Sequence, residues 1–182
     1  MHYFAYGSNM SLARLRARVP SAQRIGTCRL QAHELRFHKV GRDGSGKCDA
    51  FHTGDPDHYV IGALFELDPV EKAQLDVVEG VGAGYDEKQV CLVGGSGSEV
   101  GAFTYVATRI DRLLKPYTWY KHHVLTGARE SLLPGDYISA LEQIESIRDP
   151  DENRAAAEYA LHAVTRYATR SVYGWQRVPR HR

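Results

Sequence analysis

His2-Tyr3-Phe4-Ala5-Tyr6-Gly7-Ser8-Asn9-Met10 runs from an aromatic, apolar strand into a turn and then a helix start. Gly7 permits a positive φ or a close backbone approach, and Ser8 or Asn9 has the side chain to cap the next helix. N–H groups left open at such a turn suit a carboxylate or a developing oxyanion. The same residues also fit a plain tight connection with a capping serine. A phosphate loop is excluded, because repeated glycines and a Gly-Lys-Ser/Thr are absent. Outward from this stretch, Ser11 to Val19 carries Leu12, Leu15 and Val19 at helical spacing and stops before Pro20.

Strands are predicted at His2 to Tyr6, Cys28 to Phe37, Tyr59 to Leu67, Gln89 to Val93 and Ala102 to Ala107. The third is a near-continuous apolar run, as in a strand buried on both faces. Glycines at 41, 44 and 46 and at 94, 95 and 97 mark loops between them. Asp68-Pro69-Val70-Glu71 reads as an N-cap, a first-turn proline and an acid, opening a helix that ends at Glu79 with Gly80 as its C′ residue. After residue 115 the pattern is helical: Tyr117 to Ala128, Asp136 to Ile147 and Glu152 to Thr169, separated by Pro134 and Pro150. Strands first and helices last make the chain α+β, a small sheet or barrel covered by helices. The stretch from Gly174 to Arg182 reads as poorly anchored.

The 182 residues include 23 Lys+Arg against 22 Asp+Glu, which argues against a bulk nucleic-acid binder or a membrane-surface patch. The longest apolar stretch, Val60 to Phe65, is interrupted by Gly62 and falls far short of a membrane span. The start has no basic n-region and no long apolar h-region, so a secretory signal is not expected. Three cysteines, Cys28, Cys48 and Cys91, fit a reduced cytoplasmic chain better than a disulfide scaffold. Cys48, beside Lys47 and Asp49, is either a thiolate or a structural thiol. Nine histidines include no His-Glu-x-x-His and no zinc-spaced Cys/His cluster, so no metal is expected. His122 and His123 should point in diverging directions on their helix.

Glu79 stands where a helix would prefer Lys or Arg, because the dipole there disfavours a negative charge. A buried acid so placed is readier to accept a proton, as a general base must be. The alternative is a solvated helix-end glutamate before a flexible glycine loop. Asp76 and Glu71 read as ordinary helix-surface acids. Arg14, Arg16 and Arg18 read as a solvated helix face. No Gly-x-Ser-x-Gly elbow occurs.

Tyr3-Phe4-Ala5-Tyr6-Gly7-Ser8-Asn9-Met10 resembles the opening of the gamma-glutamylcyclotransferase family. Leu75-Asp76-Val77-Val78-Glu79-Gly80-Val81, continuing to Gly84-Tyr85, resembles the family's second signature. Tyr120-Lys121, Thr126-Gly127-Ala128-Arg129-Glu130, Leu133-Pro134 and Tyr137 resemble its later helical segment. The resemblance implies a small mixed, partly closed β-barrel flanked by helices, with residues 1–148 as the domain; 149–182, which match nothing in the family, read from their own apolar spacing as a C-terminal helical extension. That extension would pack on the barrel or on a second copy in a homodimer. It also implies an enzyme that releases 5-oxoproline from small gamma-glutamyl compounds without a cofactor. Glu79 would be the acid/base; Tyr3, Phe4, Ala5, Tyr6, Gly7 and Ser8 would form the substrate loop, and Tyr120 would line the pocket. Lys39 to Asp57 matches the family poorly and would supply the leaving-group side. Asn9 departs from the leucine of the glutathione-specific branch, so glutathione is disfavoured. The same fold also admits a non-catalytic binder of gamma-glutamyl ligands, or transfer of the gamma-glutamyl group to an outside amine.

Overall fold

A computed structural model describes residues 1–171, with side chains through residue 162. The Gly174–Arg182 stretch lies outside the described residues. Five strands close a barrel: β1 (His2–Ala5), β2 (Gln23–Gln31), β5 (Tyr59–Glu66), β6 (Tyr85–Gly94) and β7 (Glu99–Ala107), in the order β1-β5-β2-β6-β7. Neighbours are antiparallel except for β1 and β7, which run parallel with Tyr3 opposite Phe103. The mixed barrel implied by the resemblance is present, and its ring is complete. Phe4, Phe65 and Phe103 are fully buried in it, each contributing about 1.5–3 kcal/mol over an exposed ring. Gly62 is required at the centre of β5, because a Cβ there would lie 2.4 Å from the Ala5 carbonyl and 2.8 Å from the Phe4 ring.

The predicted strand Cys28 to Phe37 is two strands. Ala32 takes φ 58° and breaks the chain between β2 and β3 (His33–Val40). Its N–H and carbonyl are held by His58 and Thr53 at 2.8 and 2.9 Å, so the strained conformation is fixed from both sides. β3 pairs with β4 (Gly46–His52), a strand hidden in the sequence by the surrounding glycines. This hairpin is a separate sheet stitched to the segment after β7. Val40 N donates to Arg109 at 2.9 Å, Asp111 N to His38 at 2.7 Å, and Gly46 N to Lys115 at 2.9 Å. Asp49 accepts from Ala107 N at 2.8 Å and faces His38 Nε2 at 2.9 Å. The hairpin thereby sets Lys39, Lys47 and Cys48 against one mouth of the barrel.

The helices are α1 (Leu12–Arg16), α2 (Lys72–Glu79), α3 (Thr118–Glu130), α4 (Gly135–Gln143) and α5 (Glu152–Ser171). α1 ends before Val19, and its cap is Ser11, whose side chain accepts from Arg14 N, rather than Ser8 or Asn9. α4 stops at Gln143, because Ile144 turns to extended backbone. Asp68 caps its own N–H neighbour Val70, as the sequence indicates, and Gly80 takes φ 71° after α2. α5 lies against α1 and α3: Glu158 pairs with Arg14 and accepts from His123 at 2.9 Å. His123 is wholly buried, and the His122 ring meets Tyr159 at a tilt and His162 edge-on, at 5.2 and 5.1 Å.

Candidate active site

Gly7 does not take a positive φ; its value is −113°. It is needed for close approach, since a Cβ would lie 2.9 Å from Cys48 Cβ and 3.3 Å from Tyr120 Oη. The chain then makes a tight turn over Ser8–Met10, with Met10 N donating to Gly7 at 3.0 Å. The N–H groups of Gly7, Ser8 and Asn9 donate to no protein acceptor among the described residues. α3 presses directly on this turn at Gly127, where a Cβ would meet Ser11 N at 2.3 Å and Met10 C at 2.4 Å. The Thr126-Gly127-Ala128 signature is therefore a packing requirement beneath the site.

A cavity at the barrel mouth is lined by Tyr3, Tyr6, Gly7, Ser8, Asn9, Cys48, Glu79, Tyr85, Tyr105 and Tyr120. Tyr3, Tyr6, Gly7, Ser8, Glu79 and Tyr120 thus line one cavity, whereas Phe4 and Ala5 are buried in the barrel wall behind it. Glu79 does not stand unsupported at its helix end. Its Oε1 accepts from Asn9 Nδ2 at 2.9 Å and from an Arg18 guanidinium N–H at 3.0 Å. Arg18 also donates to Asn9 Oδ1 at 2.7 Å, closing a triangle. Oε2 has no hydrogen-bond partner among the described residues. One oxygen is pinned and the other is left to a ligand.

Arg14 and Arg18 are corrected from a solvated face to site residues: Arg14 is 7% exposed, and only Arg16 of the three points to solvent. Sequence reasoning misses Asn9 and Arg18 as partners of Glu79, because the contacts span 70 and 61 residues of chain. Asp76 is no idle surface acid either; it accepts from Tyr105 Oη at 2.6 Å and pairs with Lys72. Glu71 holds Ser21 N at 3.0 Å.

The phenols are neutral donors and acceptors. Burial pushes Tyr3, Tyr6, Tyr85, Tyr105 and Tyr120 above the usual tyrosine range. Tyr6 donates to the Tyr105 carbonyl, and Tyr85 to the Cys48 carbonyl at 2.7 Å. Tyr120 Oη accepts from Cys48 N at 3.0 Å, and Tyr3 Oη from Asn9 at 3.0 Å. Burial also pushes the Cys48 thiol up to about 12, which favours the protonated, structural thiol over the thiolate. Among the described residues no cluster of three His, Cys, Asp or Glu is placed to hold a metal. No described helix is long and apolar enough to cross a membrane.

At the barrel mouth one carboxylate is clamped through a single oxygen by an arginine and an amide and ringed by neutral phenols. Residues 59–141 match the AIG2-like family. The chain is 31% identical over 150 residues to the gamma-glutamylcyclotransferases of Bos taurus and Homo sapiens, covering 79% of this chain and 78% of each relative. A solved gamma-glutamyl cyclotransferase superposes with a TM-score of 0.75 at 29% identity, over 81% of this chain and 89% of that one. The chain belongs to the gamma-glutamylcyclotransferase family, and it is an enzyme.

Proposed function

We propose that this enzyme releases 5-oxoproline from small gamma-glutamyl compounds, with Glu79 as acid and base. The observation that carries the reading is the half-free carboxylate: Arg18 and Asn9 hold Oε1, and Oε2 is open to the cavity. A substrate α-amine is mostly protonated at neutral pH, its pKa being near 8. Glu79 Oε2 takes that proton. The freed nitrogen attacks the γ-carbonyl of the same molecule, forming a C–N bond within a five-membered ring. The open N–H groups of Gly7, Ser8 and Asn9 suit the oxyanion that develops, or the α-carboxylate beside it. The bond to the leaving nitrogen then breaks as Glu79 returns the proton to it; the ring nitrogen gives up its second proton to the departing amine, which leaves as an ammonium.

No cofactor enters this scheme. Because nucleophile and carbonyl share one molecule, the cavity chiefly has to fold the substrate into a reactive shape. Tyr3 and Tyr120 are the phenols best placed for that, one beside Asn9 and the other against Gly7. Three unpaired thiols fit a reducing cytoplasm as the place of action. The test is 5-oxoproline release from gamma-glutamyl amino acids, gamma-glutamyl amines and glutathione, with Glu79→Gln alongside. We expect release from the wild type and a loss of about 10²–10⁴-fold in the variant. A folded Glu79→Gln that kept full turnover would remove Glu79 from its role. Tight binding of uncleaved substrate by the wild type would point to a binder, and a new amide without 5-oxoproline to transfer.

A further inference from the structure

The reacting cavity opens into a second chamber of about 300 Å³ that shares Ser8, Glu79, Tyr85 and Tyr120 with it. Its walls carry five cations, Arg14, Arg18, Lys39, Arg42 and Lys47, against three carboxylates, Asp43, Glu79 and Glu158. Each carboxylate is already taken: Glu158 by Arg14, Glu79 by Arg18 at 3.0 Å, and Asp43 by Lys47 at 2.7 Å. Lys39 and Arg42 are left over, a surplus of two positive charges. Neither side chain makes an ion pair or hydrogen bond among the described residues.

Lys39 is 6% exposed, and its ammonium sits 4.5 Å from the centre of the Tyr85 ring. Burial pushes it below the usual lysine range. Glu79 and Asp43 act on this ammonium only at a distance, and a desolvated cation without a direct ion pair is costly, so an incoming anion offsets that cost. Arg42 comes from the turn between β3 and β4 and lays its guanidinium over Gly80, where a Cβ would lie 2.8 Å away. Both line only the outer chamber, whereas Gly7 and Asn9 line only the inner one.

We infer that Lys39 and Arg42 form an anion-binding subsite for the leaving group, and that preferred substrates release an acidic amine, two negative charges being favoured over one and one over none. This rests on the gamma-glutamylcyclotransferase reading above. A ligand with two anionic groups on its departing half matches the surplus charge of the chamber, whereas a gamma-glutamyl alkylamine leaves both cations bare.

The experiment measures kcat/KM for 5-oxoproline release from gamma-glutamyl-glutamate, gamma-glutamyl-alanine and gamma-glutamyl-butylamine. Their leaving groups carry two, one and no carboxylates. We expect efficiency to fall in that order, with about 10–100-fold between the first and last, as charge-assisted contacts imply. Lys39→Met keeps the aliphatic stem and Arg42→Gln changes an exposed side chain; each should compress the ratio, chiefly through KM, and Lys39→Arg should restore it. If Lys39→Met fails to fold, Arg42→Gln carries the comparison. Equal efficiencies for the three substrates, or a ratio untouched by Arg42→Gln, would overturn the subsite while leaving the cyclotransferase reading intact. Absence of 5-oxoproline from all three would overturn both.

Discussion

Replacing Gly127 by alanine sets two rules against each other. In mid-helix, alanine is favoured over glycine by about 1 kcal/mol. At this position the added methyl carbon would lie 2.3 Å from Ser11 N, 2.4 Å from Met10 C and 2.5 Å from Met10 Cβ. Two of those atoms are backbone, so no rotamer change relieves them. Reaching an ordinary separation of 3.4 Å requires α3 or the Ser8–Ser11 turn to retreat by about 1 Å. Overpacking of that kind costs about 3 kcal/mol at its upper end, leaving a net loss of about 2 kcal/mol after the helix gain. For a chain of this length that is a melting-point drop of about 4–8 °C. The same displacement moves the turn that carries Ser8 and Asn9, and about 1 Å of misplacement costs about 10²-fold in turnover. Thermal unfolding by circular dichroism and kcat/KM for 5-oxoproline release measure the two effects. Gly135→Ala, where the new carbon meets nothing within 4 Å, is the control and should be neutral or stabilising. A Gly127→Ala protein that melted no lower than wild type and kept its kcat/KM would refute the packing argument.

Arg18→Met should lower kcat by about 10–100-fold with the fold intact, because it removes one charge-assisted contact from Glu79 Oε1; undiminished turnover would show that the clamp is idle. Burial holds His123 down to about 4 from 6.5, so between those pH values the unfolded chain binds a proton the folded one does not. Stability should therefore fall as pH drops through that window, and urea midpoints for His123→Gln should fall less steeply. Burial raises the Glu158 carboxyl, but His123 and Arg14 outweigh it and bring it down to about 2 from 4.5, so its contribution is lost at still lower pH. Thiol labelling of the native protein should modify Cys91 alone, since Cys28 and Cys48 are buried, and all three after unfolding. Native labelling of Cys48 would contradict its burial.

Elements defined by local chemistry are legible in the sequence. Asp68 and Gly80 bracket α2 and its 3₁₀ entry because capping and a left-handed C′ residue are properties of a few adjacent positions. The long apolar run of β5 and the helical third after residue 115 emerge from periodicity alone. The β2–β3 break is hidden because it falls on Ala32, a residue that ordinarily avoids positive φ and is held there by His58 and Thr53. Glu79 is legible because it offends a helix rule; Arg14 and Arg18 are not, because charges on a short helix and in the turn after it offend none. Their partners are Glu158 and Glu79, and only the folded barrel and the docked α5 bring those near. Lys39 and Arg42 lie in the stretch that matches the family least, and their meaning appears only when the carboxylates around them are counted.

The closed ring makes catalysis a late product of folding. Thr104 reaches the Phe4 carbonyl at 2.8 Å across 100 residues of chain, and Tyr6 meets the Tyr105 carbonyl across 99. β1 has β5 and β7 as its neighbours, so the turn after it is held on both flanks only when the last strand has arrived. A chain emerging during synthesis has Glu79 and Asn9 well before it has β7. Contacts this distant in sequence form slowly. Regain of turnover after dilution from denaturant is accordingly a clock for seam closure, and it should lag behind the return of helical signal from α3 and α4.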